Sequence, residues 1–261
     1  RALAYTTNGN NNIALGQYSM YNNQSNDYNI GIGISSLYNF RGTGNTAVGS
    51  YAMRGQSETN NGTTTYATGA YNTALGYSAL YSTTSGGYNV GLGSRASYYN
   101  TTGQYNTAIG RNALEANKTQ SYNVAVGYNA LAELEDSGGS VAVGANAARY
   151  ITGSLNTIIG FEANVGNAYE KNNASSNTAL GWHALNKNYA GSSNTALGIA
   201  SLEGNTTGSF NTAVGIYALR GADPNGNLLA VTGSNNTAVG SFSLNGITTG
   251  EENTAVGTWS S

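Results

Sequence analysis

One short unit recurs fourteen times along this chain, and that self-similarity constrains the fold more than any other feature. The unit reads Asn-Thr-Ala-(Val/Leu/Ile)-Gly-x-x-Ala-Leu and is followed by a polar stretch of Asn, Gly, Ser, Thr and Tyr. Its glycine falls at 16, 33, 49, 76, 93, 110, 127, 144, 160, 181, 198, 215, 240 and 257. Ten of the thirteen intervals are 16 or 17 residues and the others are 27, 21 and 25, so the spacing is regular with three interruptions. A unit this short cannot bury an apolar face alone, and stacking successive copies is the way to bury it.

Each position has a physical reading. The residue after the opening Asn is β-branched in all fourteen copies, and the residue two further on is Val, Leu or Ile in all fourteen. Side chains two apart in a strand share a face, and β-branched residues favour the pleated surface. The intervening position is Ala or Gly in thirteen copies, with Ile158 the exception. The glycine then lets the chain turn where a Cβ would clash. The Ala-Leu pair reads as a second short strand. The fold class is therefore all-β, a repeat solenoid of about fourteen coils forming one domain over residues 1–261. Extra loops are expected near 55–70, 165–176 and 221–234. On this reading the branched face fills the coil interior, and the small Ala/Gly face is left for neighbouring chains. The structural repeat positions include Asn45, Gly49, Asn72, Gly76, Asn106, Gly110, Asn211 and Gly215. The amides of the repeat Asn, stacked one coil apart, can hydrogen-bond in a ladder or simply favour the turn.

Composition narrows the partners. Charged residues make up 8% of the 261, against about 25% in an average globular protein, and the net charge is −2. That gives no clustered basic footprint for nucleic acid. There is no cysteine, which excludes disulfides and thiolate metal sites. No apolar run approaches the roughly 18 residues of a membrane span, so no membrane insertion by this segment is expected.

The segments Asn45–Gly49, Asn211–Gly215, Asn236–Gly240 and Asn253–Gly257, with Asn72–Leu80 and Asn177–Leu185, resemble the head repeats of YadA-like trimeric autotransporter adhesins. They also resemble related repeats in phage tail fibres, to which the Thr-Gly-x-x-Asn-Thr connections are closer. The resemblance covers nearly the whole chain. It implies a left-handed parallel β-roll, an intertwined or side-by-side homotrimer, and an extracellular place on a bacterial surface or a virion. The function it implies is non-enzymatic attachment through a cell-surface glycan or protein receptor. The alternative is a filament or spacer with no receptor site of its own.

Candidate contacts lie where units differ. Tyr71, Tyr88, Tyr105 and Tyr122 directly precede the repeat Asn and should align into a stripe, as aromatic groups with a polar tip suited to sugars and proteins. Trp182 and His183 sit at free positions of their unit, where plain surface packing is the bland reading, and Asn225 lies in the insertion with the only proline, Pro224. The lone His183 has no Ser and Asp at triad spacing, and no repeat-register pair of acids suits glycan cleavage, so no catalytic site and no cofactor are expected. Glu133, Glu135 and Asp136 form the one acidic cluster, readable as a solvated turn or, at three-fold symmetry, a cation site.

Overall fold

The structure is a computed structural model that describes residues 1–5, 7–56, 58–60, 63–134, 138–166 and 173–260, with backbone alone for 58–60 and 63–65. The chain divides into two units, Arg1–Asn129 and Ala130–Ser261. The first contains β1 (Ile13–Leu15), β2 (Ile30–Ile32), β3 (Thr46–Val48), β4 (Glu58–Asn60), β5 (Thr63–Thr65), β6 (Thr73–Leu75), β7 (Val90–Leu92), β8 (Thr107–Ile109) and β9 (Val124–Val126). The second contains β10 (Val141–Val143), β11 (Thr157–Ile159), β12 (Thr178–Leu180), β13 (Thr195–Leu197), β14 (Thr212–Val214), β15 (Thr237–Val239) and β16 (Thr254–Val256). Each unit is a parallel β-solenoid in which every repeat supplies one three-residue strand and pairs with the next repeat in register. Thr73 faces Thr46 and Val90, and Thr195 faces Thr178 and Thr212. Among the described residues there is no helix.

The core corrects the expected facing of the strands. The middle residue of the triad points inward: Ala47, Ala74, Ala108, Ala125, Ala142, Ile158, Ala196 and Ala213 are all fully buried. The branched residues on either side point outward, and Leu75 and Leu180 remain 46% and 49% exposed. The cause is the thinness of the coil. Opposite the strand stand the Leu or Met of the Ala-Leu segment, with Leu80, Leu114, Leu185 and Leu219 fully buried. A Cβ added to Gly91 would already stand 3.0 Å from the Leu80 Cγ, and one added to Gly31 would stand 2.9 Å from the Met20 Cγ. Opposite a Leu or Met one methyl fills the available depth, so the larger side chains of the triad face out; Ile158 fits inside where the preceding coil has Ala148 in place of the Leu.

The Ala-Leu segment is a turn, where a second strand was expected. Its residues alternate into the left-handed region, with φ of 53° at Ser78 and 51° at Leu80, as does Tyr71 (φ 58°) before the repeat Asn. Left-handed backbone costs a non-glycine residue about 1–2 kcal/mol. Coil-to-coil hydrogen bonds offset this: the Ser78 N–H donates to the Ser50 carbonyl (3.0 Å), and the Leu80 N–H to the Ala96 carbonyl (2.9 Å). The ladder between coils thus continues through the turn without strand geometry.

Asparagine and glycine fix the register. The Asn72 N–H donates to the Asn45 Oδ1 (2.9 Å), and the Asn72 Nδ2 donates to the Gly86 carbonyl (3.0 Å). Asn106 repeats the pattern on the Asn89 Oδ1 (2.9 Å), and Asn211 repeats it on the Asn194 Oδ1 (2.9 Å). Where serine replaces the amide, the Asn156 N–H donates to the Ser140 Oγ (3.2 Å). The amide ladder, one of the two readings the sequence allowed, is therefore present, and each side chain satisfies buried main-chain groups. The repeat glycine adopts φ of 130° at Gly49, 138° at Gly76, 128° at Gly110 and 130° at Gly215. A Cβ at Gly49 or Gly76 would lie 2.5 Å from the carbonyl oxygen of the next repeat glycine. Neither the φ nor the contact tolerates a side chain.

Insertions leave the coil without disturbing it. The 27-residue interval carries the antiparallel hairpin β4–β5, with Thr59 opposite Thr64. The 221–234 insertion closes on itself by an Ala222–Leu228 bridge and rejoins the coil at Val231, which pairs with Asn205. Residues 167–172 of the third insertion lie outside the described residues.

Candidate functional site

Three places bring functional side chains together, and each follows from in-register stacking. The first is the tyrosine stripe. Tyr71, Tyr88, Tyr105 and Tyr122 stack in order, with ring centroids 5.2, 5.1 and 5.2 Å apart and interplanar angles of 22°, 6° and 8°. Tyr28 stands apart from this run because the intervening coil has Gly44 at the equivalent position, and the Tyr71 ring lies over it. Stacking occupies the inner ring faces with neighbouring rings. The ladder therefore presents ring edges and a row of hydroxyls, rather than the open faces that stack on a sugar.

The second place is built by the 221–234 insertion. Its Asp223 carboxylate accepts from the N–H of Asn225 (2.9 Å), the N–H of Asn227 (2.7 Å) and the Asn227 Nδ2 (2.8 Å). The Asn227 side chain and main chain, followed by Asn225, hold the Asp223 carboxyl below the usual carboxylate range. The folded loop walls a cleft of about 650 Å³ with Ala222, Pro224 and Leu229 on one side and Phe242, Ile247 and Trp259 on the other. Phe242 stacks on Trp259 with centroids 4.2 Å apart and planes at 2°, and Tyr217 tilts against Phe242 at 5.1 Å. Arg220 and Asp223 supply charge at the apolar wall. The sequence-singled Asn225 is exposed and serves the turn through its main chain, while Asp223, Phe242 and Trp259 were not singled out.

The third place surrounds His183, whose ring stacks on Trp182 at 3.8 Å and 9°. Its Nε2 lies 3.0 Å from the Glu162 Oε2, and its Nδ1 lies 3.3 Å from the Glu203 Oε1. Arg220 donates its Nε–H to the other Glu203 oxygen at 2.7 Å. This is a cross-coil charged network, where plain surface packing was one reading. The signal was in the register: Glu162 and His183 each sit two residues past a repeat glycine, and Glu203 and Arg220 each sit five past one. A carboxylate on both ring nitrogens fixes the imidazole and leaves neither nitrogen open as a base toward a substrate.

Glu133 is exposed, while Glu135 and Asp136 of the acidic cluster lie outside the described residues. Among the described residues, no group of three or more His, Cys, Asp or Glu side chains is placed to hold a metal ion. Among them too, no helix is long and apolar enough to cross a membrane. No family model, no curated protein and no solved structure matches this chain.

Proposed function

We propose that this chain is a non-enzymatic attachment segment: a self-associating β-solenoid fibre, extracellular, that contacts a cell-surface glycan or protein receptor through its inserted loops. The observation that carries the reading is the contrast between repeat and insertion. The repeat spends its polar groups on its own ladder, while the 221–234 insertion adds a cleft lined by Phe242 and Trp259. Clefts of this kind, apolar with a few placed polar groups, are where ligands bind, and loops on a rigid scaffold carry such sites.

Self-association is supported by the outward strand face. Parallel sheets are ordinarily covered on both faces, yet here Leu75, Leu92, Ile159 and Leu180 stand outward with a third or more of their surface exposed. Apolar rows of this kind mark interaction surfaces, and further copies of the same chain are the fitting cover. By the likeness to adhesin heads and tail fibres, the assembly is a homotrimer.

The test is adhesion of two fibres, one native and one with the 55–70 and 221–234 loops shortened to the 17-residue spacing. Light scattering should give a trimer mass for both, and the trimmed fibre should attach less. Equal attachment would move the receptor contact to Tyr71–Tyr122 or to Trp182. If neither fibre attached to any surface, the chain would be a spacer.

A further inference from the structure

Five residues past the repeat glycine, consecutive coils of the first unit carry Tyr21, Tyr38, Arg54, Tyr81 and Tyr98. Tyr21 and Tyr38 stack with centroids 5.1 Å apart at 2°, and Tyr81 and Tyr98 stack at 4.9 Å and 5°. The Arg54 guanidinium fills the gap in this ladder, 5.4 Å from the Tyr38 ring and 5.7 Å from the Tyr81 ring. It donates from Nη1 to the Tyr81 Oη at 3.1 Å. A guanidinium has five N–H donors in a planar fork, so most of the fork is uncommitted.

Arg95 pairs with Glu115 and Arg220 pairs with Glu203, but no carboxylate among the described side chains pairs with Arg54. Residues 1–129 carry six Lys and Arg against three Asp and Glu, so the surroundings are cationic overall. Beside the guanidinium lies a cleft of about 370 Å³ lined by Asn39, Arg54, Gly55, Gln56 and Tyr81. Its side chains are polar, and the coil that carries it leads directly into the β4–β5 hairpin.

We propose that this cleft binds the acidic group of an anionic saccharide, with Arg54 as the anchor. A planar fork matches the two oxygens of a carboxylate or sulfate in a bidentate pair. Held between two rings, the side chain has little rotamer freedom left to lose on binding. The Tyr81 hydroxyl and the Gln56 amide add hydrogen-bonding groups for the sugar. The proposal rests on the attachment reading for its ligand class, and the two fail separately.

The experiment measures binding of the full chain to heparin, to polygalacturonate and to neutral dextran by fluorescence titration. The native chain should bind at least one polyanion and not dextran. Binding to heparin identifies a sulfated ligand, and binding to polygalacturonate identifies a uronic one. Arg54→Met keeps a side chain that packs on aromatic rings and removes the charge. It should weaken binding by about 10- to 100-fold. Arg111→Gln removes a basic residue over Tyr128, outside the cleft, and should leave binding within about twofold. Circular dichroism checks each fold. Should Arg54→Met fail to fold, Tyr81→Phe keeps ring and charge, removes the hydroxyl, and should still weaken binding several-fold. No polyanion binding, or equal loss in Arg54→Met and Arg111→Gln, overturns the site and leaves attachment standing. Arg54-dependent binding without adhesion to any cell supports the site and overturns the attachment reading.

Discussion

Replacing Asn89 with alanine tests whether the amide ladder holds the coils in register. Asn89 is fully buried. Its Nδ2 donates to the Gly103 carbonyl at 2.8 Å, and its Oδ1 accepts the Asn106 N–H at 2.9 Å. Alanine removes the partner of the buried Asn106 N–H, whereas the Gly103 carbonyl keeps the Asn100 Nδ2 at 3.1 Å. The Asn72 Oδ1 still receives the main-chain N–H of residue 89 (2.9 Å), so that acceptor is not orphaned. One buried polar group left without a partner sets the expected destabilisation at about 1–3 kcal/mol. Gln104→Ala is the control, an exposed side chain whose loss should fall within about 0.5 kcal/mol. Urea unfolding followed by far-ultraviolet circular dichroism gives the midpoint and slope for both variants. A large drop in midpoint for Asn89→Ala, against no change for Gln104→Ala, is the expected result. A loss below about 1 kcal/mol would mean that water or a local shift serves the Asn106 N–H equally well, and the ladder argument would fall.

Two further predictions follow from the corrected core and the insertion. Ala108→Asp buries a carboxylate with no partner and should abolish folding, whereas Ile109→Asp, facing outward on the same strand, should fold yet lose the assembled mass in light scattering; unfolding by both variants would refute the facing. The Asp223 carboxyl titrates below its unfolded value, so its contribution to loop order is complete above about pH 4 and is lost as pH falls through the lower folded value. Amide exchange of Asn227 should accelerate in that acid window while Thr212 on β14 stays protected, and unchanged Asn227 protection there would refute the role of the carboxylate.

The repeat, the strand positions and the amide and tyrosine ladders were legible because all of them depend on period alone. Once units stack in register, Asn72 must meet Asn45, and Tyr88 must meet Tyr71 and Tyr105, whatever the coil looks like inside. The facing of the triad was not legible from alternation, which separates two faces without saying which is interior. The deciding clue was size: the middle position admits only Ala or Gly in thirteen of fourteen copies, as a space one methyl deep demands. The second strand failed for a different reason. Leu80 and Ser78 adopt left-handed φ, which no propensity assigns to leucine, and only hydrogen bonds to adjacent coils sustain it. The His183 network and the Arg54 ladder join residues 16 to 27 apart in sequence. They were hidden in positions that vary from unit to unit, where only the offset from the repeat glycine connects them.

The pairing of β3 with β6 has a consequence for how such a chain can change. Thr46 meets Thr73, 27 positions further on, in the same alignment with which Thr178 meets Thr195, 17 positions further on. Alignment is thus indifferent to how much chain is spooled out between two strands. A gene encoding this repeat can lengthen, exchange or delete a loop at any coil without shifting its neighbours. Recognition can diversify at one site while the scaffold stays constant, and a foreign peptide spliced between Gln56 and Tyr66 should be displayed at a fixed, countable height along the first unit.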